Sequence, residues 1–143
     1  MRDTVVDVLL LDAPVALWAK TDAHSRRVDA AAESRDDPAA LRLATVLHRI
    51  ADRYVMVSEA AKSMLDAASA RGAETVDIAY PVPADACADF AELEAAYDAV
   101  DADAKARGET DLVWPAECVT FRRWYLGEIT KQLDGGVPSP WRD

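Results

Sequence analysis

A chain of 143 residues is long enough for one domain with a real core and leaves little room for a second. Its 26 acidic residues against 16 basic ones give a formal net charge of -10, which repels phosphate backbones and anionic membrane surfaces and argues against nucleic acid and membrane partners. Apolar runs such as Val8-Leu9-Leu10-Leu11 are far too short to cross a bilayer, and Met1-Arg2-Asp3 lacks a secretory pattern, so the expected compartment is the cytoplasm.

Val5 to Leu11 reads as a short strand covered on both faces, with Asp12 and Pro14 as the cap and first-turn proline of a following helix. That first helix is expected from about Ala13 to Glu33. Leu17, His24, Val28 and Ala31 lie along one side, and Thr21 and Asp22 interrupt the stripe. Ser34 to Pro38 breaks the pattern, and Asp37-Pro38 is the N-cap and first-turn pair of a second helix. Along it Leu43, Leu47, Ile50, Tyr54, Val57, Ala61, Met64 and Ala68 recur at alternating steps of four and three, the seam of a helix bundle. Bounded by Pro38 and Gly72, this segment predicts a rod of roughly 50 Å lying against other helices.

Thr75 to Tyr80 alternates polar and apolar, with Val76, Ile78 and Tyr80 on one face, and it ends at Pro81-Val82-Pro83. A lone strand leaves its backbone unpaired, so pairing with Val5 to Leu11 in a two-stranded sheet is predicted. A third helix from about Pro83 to Arg107 carries Cys87, Phe90, Leu93, Tyr97, Val100 and Ala104 on one face and acidic residues on the other, and Gly108 ends it. A fourth runs from near Pro115 to Leu133 with Cys118, Phe121, Tyr125, Ile129 and Leu133 inward. Gly127 inside it costs about 1 kcal/mol relative to Ala, which predicts a close backbone approach. The expected fold is mainly α, a four-helix bundle with a small two-stranded β element over residues 1–134, and then a Gly/Pro tail or linker over 135–143.

Catalytic and cofactor signals are sparse. There is no Glu-x-x-His pair for a di-iron bundle, no HExxH, no GxGxxG, no GxxxxGK[ST] and no GxSxG, so no cofactor, metal ligand or catalytic residue is assigned. His24 and His48 read as core or capping residues, and Cys87 and Cys118 as buried thiols in a reducing compartment. A nucleophile at Cys118 would need His24 or His48 beside it in space, and Glu94, Asp98 and Asp101 share a helical face on which a hard cation competes with plain solvation. The cluster Phe121-Arg122-Arg123-Trp124-Tyr125 sends rings both inward and outward. Either the tail covers the outer ring, with Trp141 folding back, or Arg122, Arg123, Trp124 and Trp141 form a partner surface. Trp18 and Trp114 read as core-edge residues.

The string Phe121 to Ile129, followed by Gln132-Leu133 and Pro138-Ser139-Pro140-Trp141, together with Val76 to Pro83, resembles a helical accessory domain of actinobacterial regulatory ATP-binding proteins. Those proteins are similar to anti-sigma-factor serine kinases of the GHKL ATPase type. A GHKL ATPase has a magnesium-holding Asn followed by DxGxG, whereas this chain has no Asn and no such loop, so ATP binding of that kind is not expected. Absence of Asn, a single Gln and an Ala- and Arg-rich composition also suit a GC-rich genome. The resemblance implies a non-enzymatic regulatory domain in bacterial signalling or sigma-factor partner switching. Its partner would be a sigma-factor regulator or an ATPase or phosphatase of the pathway, with a homodimer through helix surfaces as a further form. The alternatives are a small-molecule sensor with a pocket between the helices, lined by Tyr54, Tyr97, Phe121 and Tyr125, and a small enzyme using Cys118 or the carboxylates from Glu94 to Asp101.

Overall fold

The computed structural model of the chain describes residues 4–142, except the side chains at positions 55–57 and 80. The Val57 and Tyr80 positions of the predicted apolar faces therefore lie outside the described residues. The elements run β1 (Val5–Pro14), α1 (Val15–Glu33), α2 (Pro38–Ala70), β2 (Thr75–Pro83), α3 (Cys87–Arg107) and α4 (Ala116–Leu133). The protein is mainly helical with a small antiparallel sheet.

Two interruptions correct the expectation of four plain helices and two plain strands. Tyr54 has φ -116 and ψ 20, outside helical geometry, so counting both sides of this break gives five helical segments among the described residues. In β1 the register advances from Leu10↔Ile78 to Ala13↔Val76, three residues against two, which is a bulge that divides the small sheet into three strand segments. Asp12 takes φ 56 in that bulge, and its N–H donates to Asp77 Oδ1 at 2.8 Å. Asp12 is thus a bulge residue rather than a helix cap, and Pro14 stands at the N-cap of α1. The Asp37-Pro38 start of α2 is as expected, with the Asp37 carboxylate accepting from the Ala40 N–H at 3.3 Å.

Around the molecule, α1 packs on α2 and α4, and α3 packs on the same two, while β1 leans on α4 and β2 on α2. Gln132 of α4 joins helix to sheet: Leu9 N–H donates to its Oε1 at 2.8 Å, and its Nε2 donates to the Leu9 carbonyl at 2.7 Å. A side-chain amide so placed satisfies a strand edge as another strand would. Buried apolar residues fall into two groups. Val8, Leu10, Ile78 and Val82 of the sheet meet Tyr54, Ala61 and Ala68 of α2 and Leu126 and Ile129 of α4 in one. Val28, Leu43, Val46, Ala96, Trp114 and Cys118 form the other. The division falls at the Tyr54 break, with Ile50 and Leu93 packed against both groups.

The tail is docked rather than loose. Trp141 N–H donates to the Leu11 carbonyl at 3.0 Å, Ser139 N–H to Glu128 Oε1 at 2.9 Å, and Lys131 Nζ to Ser139 Oγ at 2.8 Å. A Cβ on Gly136 would stand 2.8 Å from the Lys131 carbonyl oxygen, so the missing side chain lets the tail turn close over α4. Gly127 is the opposite case. A Cβ there would meet nothing within 4 Å, which corrects the expected close approach.

Candidate functional site

Where the two core groups meet, the inner face of α1 turns polar. Trp18, Asp22, Ser25 and Asp29 follow one another at steps of four, three and four, so they share one stripe of the helix. Polar side chains here cannot interdigitate with rings as leucines would, and space remains between the elements. One cavity of about 160 Å³ is bounded by Trp18, Ser25, Tyr97, Trp114, Phe121 and Tyr125. A second, of about 450 Å³, is bounded by Asp29, Ile50, Tyr54, Phe90, Leu93 and Tyr125, drawing on α1, α2, α3 and α4. A third, of about 250 Å³, opens between α1 and α2 beside Trp18, Ser58 and Leu65. Tyr125 lines all three, so they adjoin as parts of one interhelical cleft.

The four residues expected to line a pocket between the helices do border this cleft. Tyr97, Phe121 and Tyr125 face the smaller cavity, and Tyr54 and Tyr125 the larger. The rings support one another, with Trp18 edge-on to Tyr125 at 5.2 Å between centroids and Tyr54 tilted on Phe90 at 5.1 Å. The Tyr54 hydroxyl donates to Asp89 Oδ2 at 2.6 Å, and burial together with that carboxylate raises its phenol above the ordinary range.

A polar relay crosses the wall between the two cavities. Ser25 Oγ is 2.9 Å from Tyr97 Oη, which is 2.9 Å from Asp29 Oδ1. An ionised carboxylate only accepts and a phenol has one proton, so Tyr97 donates to Asp29 and Ser25 donates to Tyr97. Burial pushes the Asp29 carboxyl up from 3.8 to about 6 against the Tyr97 hydrogen bond, and the charges of Asp22 and Glu33 on the same helix add to the rise. Burial, reinforced by the Asp29 charge, likewise raises the Tyr97 phenol. At the edge of the larger cavity His48 Nε2 lies 3.0 Å from Glu33 Oε1, both side chains being well exposed.

The smaller cavity has a different deficit. Arg122 is only 4% exposed, with Nε donating to Glu94 Oε2 at 2.9 Å and the guanidinium 4.4 Å from the Trp114 ring centroid. Its Nη1 and the neighbouring Trp114 Nε1 are buried donors without an acceptor among the described residues. A carbonyl oxygen or a water is what such donors need.

Arg122 is therefore corrected from a partner-facing anchor to a buried one, because two carboxylates and two rings hold it inside. Trp124 and Trp141 contact each other edge-on at 5.5 Å, and Trp124 Nε1 donates to the Ser139 carbonyl at 3.1 Å, so the tail covers the outer ring. Arg123 keeps 62% of its side chain exposed. The enzyme candidates are likewise placed. Cys118 is fully buried in the apolar group around Trp114. Glu94 and Asp98 are bound by Arg122 and Arg123, while Asp101 accepts the Trp114 N–H at 2.8 Å and pairs with Lys105 at 3.2 Å. His24 is a core residue, edge-on to Trp114, donating from Nε2 to the Leu112 carbonyl at 3.3 Å, and burial lowers its pKa.

The sequence pattern does not single out Ser25 and Asp29. Their signal is the 4-3-4 continuation of Trp18 and Asp22, which an apolar-stripe search treats as interruption. Among the described residues no helix is long and apolar enough to cross a membrane. Comparison of the chain with protein-family models, with curated proteins and with solved structures finds no match in any of the three.

Proposed function

We propose that the chain is a non-enzymatic sensory or regulatory domain that takes a small organic molecule into the cleft between its helices and reports occupancy to a protein partner. The observation that carries this is the cleft itself, walled by rings, crossed by a fixed polar relay and lined from α1, α2, α3 and α4. A core selected for stability alone would close over such space, since every void forfeits dispersion contacts. The Tyr54 break borders the larger cavity, where Ile50 lies before it and Ser58 after it, so an occupant touching both would couple the two halves of α2. The resemblance supplies the setting: a cytoplasmic role beside a sigma-factor regulator, or an ATPase or phosphatase of the same pathway. The partner-facing surface would be the α4 and tail side, where Arg123 is exposed and Trp124 and Trp141 are half-buried.

The test is a titration with 3-phenyl-1-propanol followed by ¹H–¹⁵N and methyl NMR. Shifts at Leu93, Tyr125 and Leu126 with a quiet β1–β2 sheet are expected. Ala51→Trp, which fills the larger cavity from an exposed position of α2, should abolish them with the helical signature intact. Shifts confined to other surfaces, or none from this alcohol and none from its ammonium analogue of the same shape, would refute the ligand reading.

A further inference from the structure

We infer that the cleft selects an organic cation, an ammonium group standing against the Asp29 carboxylate with its apolar body among Tyr54, Phe90 and Tyr125, a class that presupposes the ligand reading above. The distinguishing observation is a missing counter-charge. Every other buried or half-buried carboxylate among the described residues is ion-paired to an arginine or lysine: Asp89 to Arg49 and Arg53, Glu94 to Arg122, Asp101 to Lys105, Glu109 to Arg35, Glu128 to Lys131, and the rest likewise. Asp29 has no such partner, and its hydrogen bond comes from the neutral Tyr97 hydroxyl.

The charges around it do not fill the gap. On α1, Asp22 and Glu33 carry the same sign, and Arg26 is engaged with Asp22 at 3.0 Å. From α2, His48 is bonded to Glu33, while α3 and α4 present the Tyr97 and Tyr125 side chains to this part of the cleft. A carboxylate held in a wall of Leu47, Ile50, Leu93 and Phe90 is costly to keep ionised unless a cation comes to it. Aromatic faces beside that carboxylate favour an organic ammonium, since ring quadrupoles attract cations that shed water readily. A bare metal ion fits poorly, because no group of three His, Cys, Asp or Glu among the described residues is gathered to ligate one.

Three probes of one shape separate the outcomes: 3-phenylpropylammonium, 3-phenyl-1-propanol and 3-phenylpropionate, titrated calorimetrically at neutral pH and physiological salt. The cation should bind at least about tenfold tighter than the alcohol, with the anion weakest. In Asp29→Asn the ratio of cation to alcohol affinity should collapse towards one. An alcohol that matches the cation on the native chain, or a ratio that persists in the variant, overturns the cation inference and leaves the ligand reading standing. If neither cation nor alcohol binds the native chain, both fall. The comparison on the native chain needs no variant to fold.

Discussion

Replacing Asp29 by Asn keeps the oxygen to which Tyr97 donates and removes the charge, so it isolates the cost of holding that carboxylate in the cleft. The folded chain titrates Asp29 near 6, against an ordinary value of 3.8. Between those two values the folded state still holds a proton that the unfolded state has released, so rising pH removes stability, and the full loss is present above about 6. At roughly 1.36 kcal/mol for each unit of pKa the loss amounts to about 3 kcal/mol, an upper value because part of the carboxyl meets solvent. Asp29→Asn should therefore match the native chain near pH 4 and exceed it at pH 7 by up to that amount. Urea unfolding followed by circular dichroism at pH 4, 5, 6 and 7, at constant ionic strength, reads the difference directly. A gap that does not change with pH, or a variant less stable at pH 7, would refute the claim that Asp29 is a burdened charge. A stabilising substitution at this cleft-facing residue is what a site held ready for a counter-charge predicts.

Three further substitutions probe how the site is supported. Arg122→Ala should destabilise the fold by about 2–4 kcal/mol in guanidinium unfolding, because it removes the buried cation and leaves the partly buried Glu94 with only the exposed Arg123 at 3.5 Å; a loss under about 1 kcal/mol would mean that the cluster relaxes into water. Gln132→Leu deprives both the N–H and the carbonyl of Leu9 of their partner and should cost about 2–3 kcal/mol, with amide exchange at Leu9 accelerating ahead of the rest of β1; unchanged exchange would show that water replaces the amide. Trp141→Ala removes ring contacts to Phe121 and Trp124 at 5.5 Å each and should cost about 1–2 kcal/mol, with a change in near-ultraviolet circular dichroism and nearly unchanged far-ultraviolet signal; an unaltered near-ultraviolet spectrum would contradict tail docking.

Much of this architecture is legible in the sequence because it follows from periodicity and punctuation. Asp37-Pro38 starts α2, Gly108 caps α3, and Val76 and Ile78 bury the same face of β2, each for local reasons that a sequence carries. The break at Tyr54 is different. No Pro or Gly marks it, and the stripe from Leu43 to Ala68 runs on through it, so the break, which falls where α2 passes from one core group to the other, carries no local mark in the sequence. The bulge at Asp12 likewise follows from the pairing of β1 with a strand more than sixty positions away. At the site, the tyrosines could be named as pocket residues because large rings on inward faces must meet something. Ser25 and Asp29 could not, since a polar residue at a core-facing step looks the same in sequence as one facing solvent until α3 and α4 close over it. Arg122 reads as outward-facing in the sequence for the same reason, since its two carboxylates lie on another helix.

The most direct measurement is a crystal structure of the chain soaked with 3-phenylpropylammonium. The account predicts the phenyl ring between Tyr54, Phe90 and Tyr125 and the ammonium nitrogen within hydrogen-bonding distance of the Asp29 carboxylate. An empty cleft at a saturating concentration, or the probe seated with its nitrogen turned away from Asp29, would contradict it.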